Sequence, residues 1–293
     1  MGFERCHPMI NLIYFTVVVT GMLVFQHPVF LLISFLSAFV YSIKRNHIRA
    51  WIFNLILLPL VAAFALYYGS YTHFGVTILE KNAIGNNITL ESLIYGMVLG
   101  IQAAGLCIWF SCIYSVFSAD KVVYLFGKLS PRLSLFLAIL LRMVPRIKTK
   151  AHQIHTAQKG IGKGMGHGNI FRRIRNCIRI FSILITWTIE ALPIISESMR
   201  SRGSSLRGRT AFSIYRFDDR DRAYGILLST CITITMMAVL LKQTNMQYNP
   251  RIVLPVITPV SWLFFCGYTI LCLMPLALEL WTQYRFQRAR RHL

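Results

Sequence analysis

Long apolar runs constrain this chain more than any other feature. Met9–Phe25, Val29–Ile43, Ala50–Tyr68, Leu93–Phe117 and Tyr224–Leu241 hold no charged residue, and Val253–Trp281 holds only Glu279. A helix needs about 20 mostly apolar residues to cross a bilayer. Any other open backbone at that depth would leave its peptide groups without partners. The runs therefore predict membrane helices, the short second one pairing with the first across the turn at His27-Pro28. Of the 293 residues, 55% are hydrophobic and 14% are charged. A soluble domain carries roughly a quarter charged residues, so a disordered chain is excluded and a soluble enzyme is not expected. No small-x-small cleavage site follows Phe25, so the first run reads as a retained helix. Leu133–Val144 and Ile178–Ile195 are apolar but interrupted by charge or proline, and they fit the membrane-buried halves of longer bent helices.

The basic residues sit between and after these runs. Lys plus Arg is 31 against 10 acidic residues, a formal net charge of +21. Lys44, Arg45 and Arg49 share one loop, and Arg285, Arg288, Arg290 and Arg291 close the chain. Between Arg142 and Arg222 there are 17 Lys or Arg and five acidic residues. Excess Lys and Arg marks the cytoplasmic side. With that side assigned, the parity of the runs closes, and the stretch from about 118 to 222 starts and ends inside. The expected architecture is all-α and polytopic, with about six spans and amphipathic cytoplasmic helices. Its parts are membrane helices over 1–117, a basic cytoplasmic region with partly membrane-buried helices over 118–222, and membrane helices with a basic tail over 223–293. The charge is split among membrane-side loops and lacks an aromatic stacking platform. The positive-inside rule therefore accounts for it, and no nucleic-acid partner is expected. The seven cysteines form no CxxC pair, which leaves zinc-ribbon and thioredoxin-type sites without support.

Two short helices are predicted in the basic region. One begins at Pro145, where a missing N–H is tolerated, and runs to about Lys159. Ile147, Ala151 and Ile154 line one face, with Arg146, Lys148 and Lys150 off it. It ends in Gly160, Gly162, Gly164, Gly166 and Gly168, which cannot hold a helix well. The other runs from Pro193 to Arg202 and stops at Gly203, with Ile195, Met199 and Arg202 on a shared face. An arginine in the last turn also simply suits the helix dipole, and the glycine suits a left-handed cap. Basic amphipathic helices of this kind bind anionic lipid or dock into a groove on a soluble partner.

Leu140-Leu-Arg142-Met-Val-Pro145 with Ala157-Gln158-Lys159-Gly160-Ile161-Gly162 resembles the first cytoplasmic helix of the energy-coupling factor transporter T components, the CbiQ/EcfT-like membrane subunits. Glu197-Ser-Met-Arg200-Ser201-Arg202-Gly203, followed by Gly208-Arg209-Thr210, resembles the second helix and its trailing loop. That family carries two Ala-Arg-Gly motifs, one ending each coupling helix, seated on a pair of ATP-binding-cassette subunits. The second motif falls on Ser201-Arg202-Gly203. The first falls on Gly160-Ile161-Gly162, with Ile161 in place of the arginine and Gln158 and Lys159 just before it. The resemblance implies a non-enzymatic transmembrane coupling subunit of an importer for a micronutrient, a vitamin or a transition-metal ion such as cobalt or nickel. Its implied partners are two ABC ATPase subunits, a membrane substrate-binding subunit and the bilayer. It implies no cofactor, and a multi-pass place in a prokaryotic cell membrane with basic loops and C-terminus cytoplasmic.

The glycine run lacks the GxxxxGK[ST] of a phosphate loop and follows a helix. Asp218, Asp219 and Asp221 resemble the magnesium site of a membrane prenyl- or phosphotransferase, the enzyme alternative, but Arg216, Arg220 and Arg222 interleave with them. A self-contained secondary transporter calls for internal repeats, and none is evident. His152 and His155, with His167 beyond, have no acidic or Cys residue near in sequence, so no metal site is expected. Glu190 reads equally as an intramembrane functional carboxylate and as an interfacial residue paired with arginine. Gln102 suits a hydrogen bond between helices, and Asn87-Ile88-Thr89 has the pattern of a glycosylation sequon.

Overall fold

The computed structural model describes residues 3–72, 74–81, 87–163, 170–203, 206, 215–255 and 257–291. The chain is an all-α polytopic membrane protein. Its helices are α1 Pro8–Val24, α2 Pro28–Tyr71, α3 Leu90–Val116, α4 Ala119–Leu129, α5 Pro131–Gly160, α6 Ile170–Ser201, α7 Asp219–Leu240 and α8 Pro259–Arg291. A 3-10 turn, Phe3–Arg5, precedes them. A small antiparallel ladder of β1 Ile78–Lys81 and β2 Asn87–Thr89 lies between α2 and α3.

Among the described residues, six helical segments are long and apolar enough to cross a membrane: Pro28–Ile48, Ala50–Tyr71, Leu90–Val116, Ile170–Ser201, Asp219–Leu240 and Pro259–Arg290. The membership differs from the sequence expectation at two places. α1 is a shorter apolar helix of 17 residues. Ile178–Ile195 lies inside the unbroken 32-residue α6.

Both prolines expected to open coupling helices lie inside longer ones, Pro145 in α5 and Pro193 in α6. Each removes a single i→i−4 bond, while helix-forming apolar turns on both sides continue the same ladder. The start signal is therefore overridden.

The chain divides into two compact units. The first comprises Met1–Ser118 and Tyr215–Leu293. In it, α1 and α2 open alike. His7 and His27 are N-caps whose Nδ1 atoms accept the N–H of Met9 and Val29, both at 3.3 Å, with Pro8 and Pro28 as first helical residues. α2 breaks at His47 (φ 51°, ψ −133°) into two limbs, Pro28–Ile48 and Ala50–Tyr71. Gly96 and Gly100 of α3 face Ala65 and Val61 of the second limb so closely that a Cβ on either glycine would lie 3.0 Å from a backbone oxygen. Further along α3, Trp109 Nε1 donates to Ser34 Oγ (3.1 Å), and Arg45 Nε of the first limb donates to Ser115 Oγ (3.0 Å). This residue order makes α3 antiparallel to the second limb and parallel to the first.

Small residues let membrane helices approach, and buried polar groups then bond across the gap. Gln102 Nε2 donates to the carbonyls of Met22 (2.7 Å) and Leu23 (2.5 Å), closing the end of α1. Tyr14 donates to the Cys272 carbonyl (3.0 Å), joining α1 to α8. The aromatic core around Phe3, Tyr14, Phe15 and Trp109 packs edge-to-face.

The second unit is Ala119–Ile214. α4 packs on the start of α5, with Ser134 Oγ donating to the Val123 carbonyl (3.3 Å). α5 packs on α6, and Lys150 Nζ lies 5.3 Å from the Trp187 ring centroid.

Candidate functional site

Two helix ends in the second unit share one geometry. α5 finishes at Gly160. Beyond it the Gly162 N–H donates to the Lys159 carbonyl (3.1 Å), and the Lys163 N–H donates to the Gln158 carbonyl (2.9 Å). Gly162 has φ +76°. This is a Schellman cap, whose glycine supplies the left-handed residue and whose two bonds satisfy orphan carbonyls. α6 finishes at Ser201, the Gly203 N–H donates to the Arg200 carbonyl (3.0 Å), and Gly203 has φ +78°. Ile161 and Arg202 thus hold the same position, each directly before a left-handed glycine. Gly164, Gly166, His167, Gly168 and the Gly208-Arg209-Thr210 loop lie outside the described residues.

Arg202 does not stand alone. A cleft of about 430 Å³ between α5 and α6 is lined by Arg142, Arg146 and Arg202 around a floor that includes Met143, Ile195 and Met199. Arg142 and Arg146 are four residues apart, hence one above the other on a helix face. All three arginines are exposed, and none forms a salt bridge with a described residue. The cleft is amphipathic, with apolar side chains inside and planar cationic forks at its mouth.

Pairing of the Lys150 level with Trp187, and of the Arg142–Arg146 level with Ile195–Arg202, makes α5 and α6 antiparallel. The two capped ends are therefore not brought together. Ile161 lies fifteen residues beyond Arg146, roughly 22 Å at the helical rise. Arg142 and Arg146 were not placed with Arg202 from sequence. Their i, i+4 spacing was visible, but the register between α5 and α6 was not.

The remaining singled-out residues have local explanations. Asp218 is the N-cap of α7, and its N–H donates to Asp221 Oδ2 (3.3 Å). Asp221 Oδ1 accepts the His7 N–H (3.2 Å), and Asp219 pairs with Arg222 (3.2 Å). Two of the three carboxylates are thus engaged, Asp221 in capping and tethering and Asp219 in an ion pair. Thr89 is the N-cap of α3, its Oγ1 accepting the Ser92 N–H (3.4 Å). Glu190 is exposed on α6 and has no salt-bridge partner among the described residues. His155 Nδ1 is buried without a hydrogen-bond partner among them, and they contain no metal-binding group of three or more His, Cys, Asp or Glu that includes it or His152.

No family model matches the chain. It is similar to three curated energy-coupling factor transporter transmembrane proteins. One, from Listeria monocytogenes, is 26% identical over 107 residues, 36% of this chain and 38% of the relative. That of Lactococcus lactis subsp. cremoris is 29% identical over 109 residues, 37% of this chain and 40% of the relative. That of Lacticaseibacillus paracasei is 29% identical over 109 residues, 36% of this chain and 41% of the relative. The chain thus spans about two fifths of the length of the curated relatives it matches. These relatives bear out the resemblance to the energy-coupling factor T components.

Proposed function

We propose that the chain is the transmembrane coupling subunit of an energy-coupling-factor-type ABC importer. It carries the closing and opening of two ABC ATPase subunits to a separate membrane subunit that binds a micronutrient, a vitamin or a transition-metal ion. The basic loops and the C-terminus are cytoplasmic, where Lys and Arg accumulate. The observation that carries this is the cleft at the end of α6, where Arg202, Arg142 and Arg146 surround an apolar floor beside the Gly203 cap. Three relatives named for the same transporter component support it.

The chemistry fits a mechanical contact. A transmitter needs a stiff rod, an anchor and a joint. α5 and α6 are 30- and 32-residue rods. Their glycine ends turn the chain away without side-chain obstruction. Arginine offers a fixed, permanently charged fork for a carboxylate, and the Met and Ile floor receives the apolar face of a partner helix. Truncating one partner of such a desolvated charge pair costs about 2–5 kcal/mol. Ser201, Arg202 and Gly203 form the charged anchor, and Gln158, Lys159, Gly160, Ile161 and Gly162 form the second, uncharged-tip contact.

The test is co-expression and co-purification in mild detergent with a pair of ABC ATPase subunits of an energy-coupling factor transporter. Arg202→Glu is expected to abolish ATPase recovery and transport while Arg179→Glu, outside the cleft, leaves both intact. Unchanged recovery and transport in Arg202→Glu overturns the proposal.

A further inference from the structure

The first unit contains a charge-lined cavity beside an apolar groove. The cavity, about 610 Å³, is lined by Arg5, Arg220, Arg285, Trp281 and Thr282 together with Asp218 and Asp221. The groove, about 480 Å³, runs along α7 and α8 past Leu227, Ile270, Leu273 and Met274. Ala223 and Tyr224 line both, so the two spaces meet there.

The cavity is built for an anion. Asp221 already accepts the His7 and Asp218 N–H groups. Arg5, Arg220 and Arg285 form no salt bridge with a described residue. Arg285 is held over the Trp281 ring, its guanidinium carbon 4.7 Å from the centroid, which limits its freedom without neutralising its charge. Three such forks against the two carboxylates of Asp218 and Asp221 leave the cavity with a surplus of positive charge, which matches phosphate oxygens.

The groove is built for hydrocarbon. Its other lining groups are apolar except Thr269, whose hydroxyl donates to the Phe265 carbonyl at 2.7 Å. An extended peptide would find no hydrogen-bond partner along it and would leave its own amides unsatisfied. Both walls are helices long and apolar enough to span a bilayer, so acyl chains are the surrounding solvent. Tyr224 at the junction and Trp281 in the cavity suit the interfacial level between chains and headgroups. Basic pockets between membrane helices are known acceptors of anionic headgroups.

We propose that cavity and groove together bind one anionic phospholipid, its phosphate held by Arg5, Arg220 and Arg285 and one acyl chain laid along Leu227, Leu273 and Met274. The site belongs to the first unit and the α5–α6 cleft to the second, and the inference does not depend on the ATPase-coupling function. It makes the end of α8 sensitive to the charge of the surrounding leaflet.

Native mass spectrometry of the purified full chain in mild detergent, titrated with phosphatidylglycerol or phosphatidylcholine, tests this directly. Phosphatidylglycerol is expected to bind about tenfold tighter, because phosphatidylcholine offers the same phosphate but brings a quaternary ammonium against the three arginines. Arg220→Gln with Arg285→Gln should erase that preference, whereas Arg288→Gln, outside the cavity, should keep it. Ala277→Trp, which fills the groove, should weaken both lipids. Equal binding of the two lipids by the unaltered chain overturns the proposal without recourse to any variant. So does a preference that survives the double substitution, or one that Arg288→Gln reduces equally. Glycerol phosphate binding as tightly as phosphatidylglycerol, or unchanged lipid binding in Ala277→Trp, also overturns it, because the groove then contributes nothing.

Discussion

Gly162 and Gly203 hold the same left-handed backbone, φ +76° and +78°, at the ends of the two long antiparallel helices of the second unit. Gly160, two residues before the first of them, is the last residue of α5 and has open space where a Cβ would be. The neighbouring glycines therefore respond oppositely to alanine. Gly162→Ala is expected to lower stability by about 1 kcal/mol, because an L-residue is strained in that conformation. Gly160→Ala is expected to raise it by about 0.5 kcal/mol by restricting the unfolded chain. Thermal unfolding of the two purified variants in one detergent should bracket the parent.

Ile161 and Arg202 sit alike but differ in charge. A cation at a helix C-terminus gains about 0.3–1 kcal/mol from the exposed carbonyls, and Ile161 forgoes that gain. Ile161→Arg should thus raise the unfolding midpoint slightly. If the α5 end also contacts an ATPase carboxylate, the variant should increase ATPase recovery on co-purification. A drop in recovery would show that the apolar Ile161 tip is itself the contact.

The membrane runs and the glycine helix ends were legible because each is a local pattern: absence of charge over a span, or Gly after a periodic stretch. Three features were not. Helices continue through Pro145 and Pro193 because flanking turns outweigh one lost hydrogen bond. Arg142 and Arg146 join Arg202 only through the packing of α5 on α6. The carboxylate of Asp221 reaches the backbone of His7, 214 residues away, so an acidic cluster that resembles a metal site in one dimension is a tether in three. Gly96 and Gly100 are silent in the sequence because small residues inside an apolar run have no distinguishing pattern until their helix neighbour is known.

His47 carries the sharp reversal between the limbs of α2 at φ 51°, ψ −133°, a region that disfavours any side chain. Strain of this kind costs about 1–3 kcal/mol, more than the roughly 0.5–1 kcal/mol that glycine's extra freedom costs. His47→Gly should therefore be neutral to stabilising. His47→Val, β-branched, should destabilise by more than 1 kcal/mol on the same scale. Thermal melts of the two variants decide it; equal loss in both would mean that the imidazole, not the backbone, holds the turn.

His27 gives the fold a dependence on acid. Burial lowers its pKa below the ordinary histidine value, and its Nδ1 must be unprotonated to accept the Val29 N–H. The unfolded chain binds the proton more readily than the folded one. The stability contributed by neutral His27 is therefore complete above the ordinary imidazole pKa, and it is lost as pH falls through the lower folded value. His27→Asn keeps a cap that does not titrate. Between pH 7.5 and 5 the unfolding midpoint of the parent should fall more steeply than that of His27→Asn. Parallel curves would remove His27 from the acid response.

Arg45 gathers charges at the end of the first limb of α2. Its guanidinium bonds Glu4 at 2.5 Å and the Ser115 carbonyl at 3.2 Å, and lies 4.0 Å from Glu279. Glu279 is the only charged residue in its apolar run and is 9% exposed. Removing the cation leaves a buried carboxylate without its counter-charge. Breaking one side of a buried pair costs on the order of 3 kcal/mol, whereas replacing both sides is often close to neutral. Arg45→Met should accordingly lower the thermal midpoint sharply, and adding Glu279→Gln should restore most of the loss. Arg45 also bonds Glu4 and Ser115, whereas Glu279 meets it only at 4.0 Å, so Glu279→Gln alone should cost less than Arg45→Met. If the double variant is no better than Arg45→Met, the Ser115 and Glu4 bonds account for the stability instead, and Arg45 acts as a clamp on α3 and the N-terminal turn.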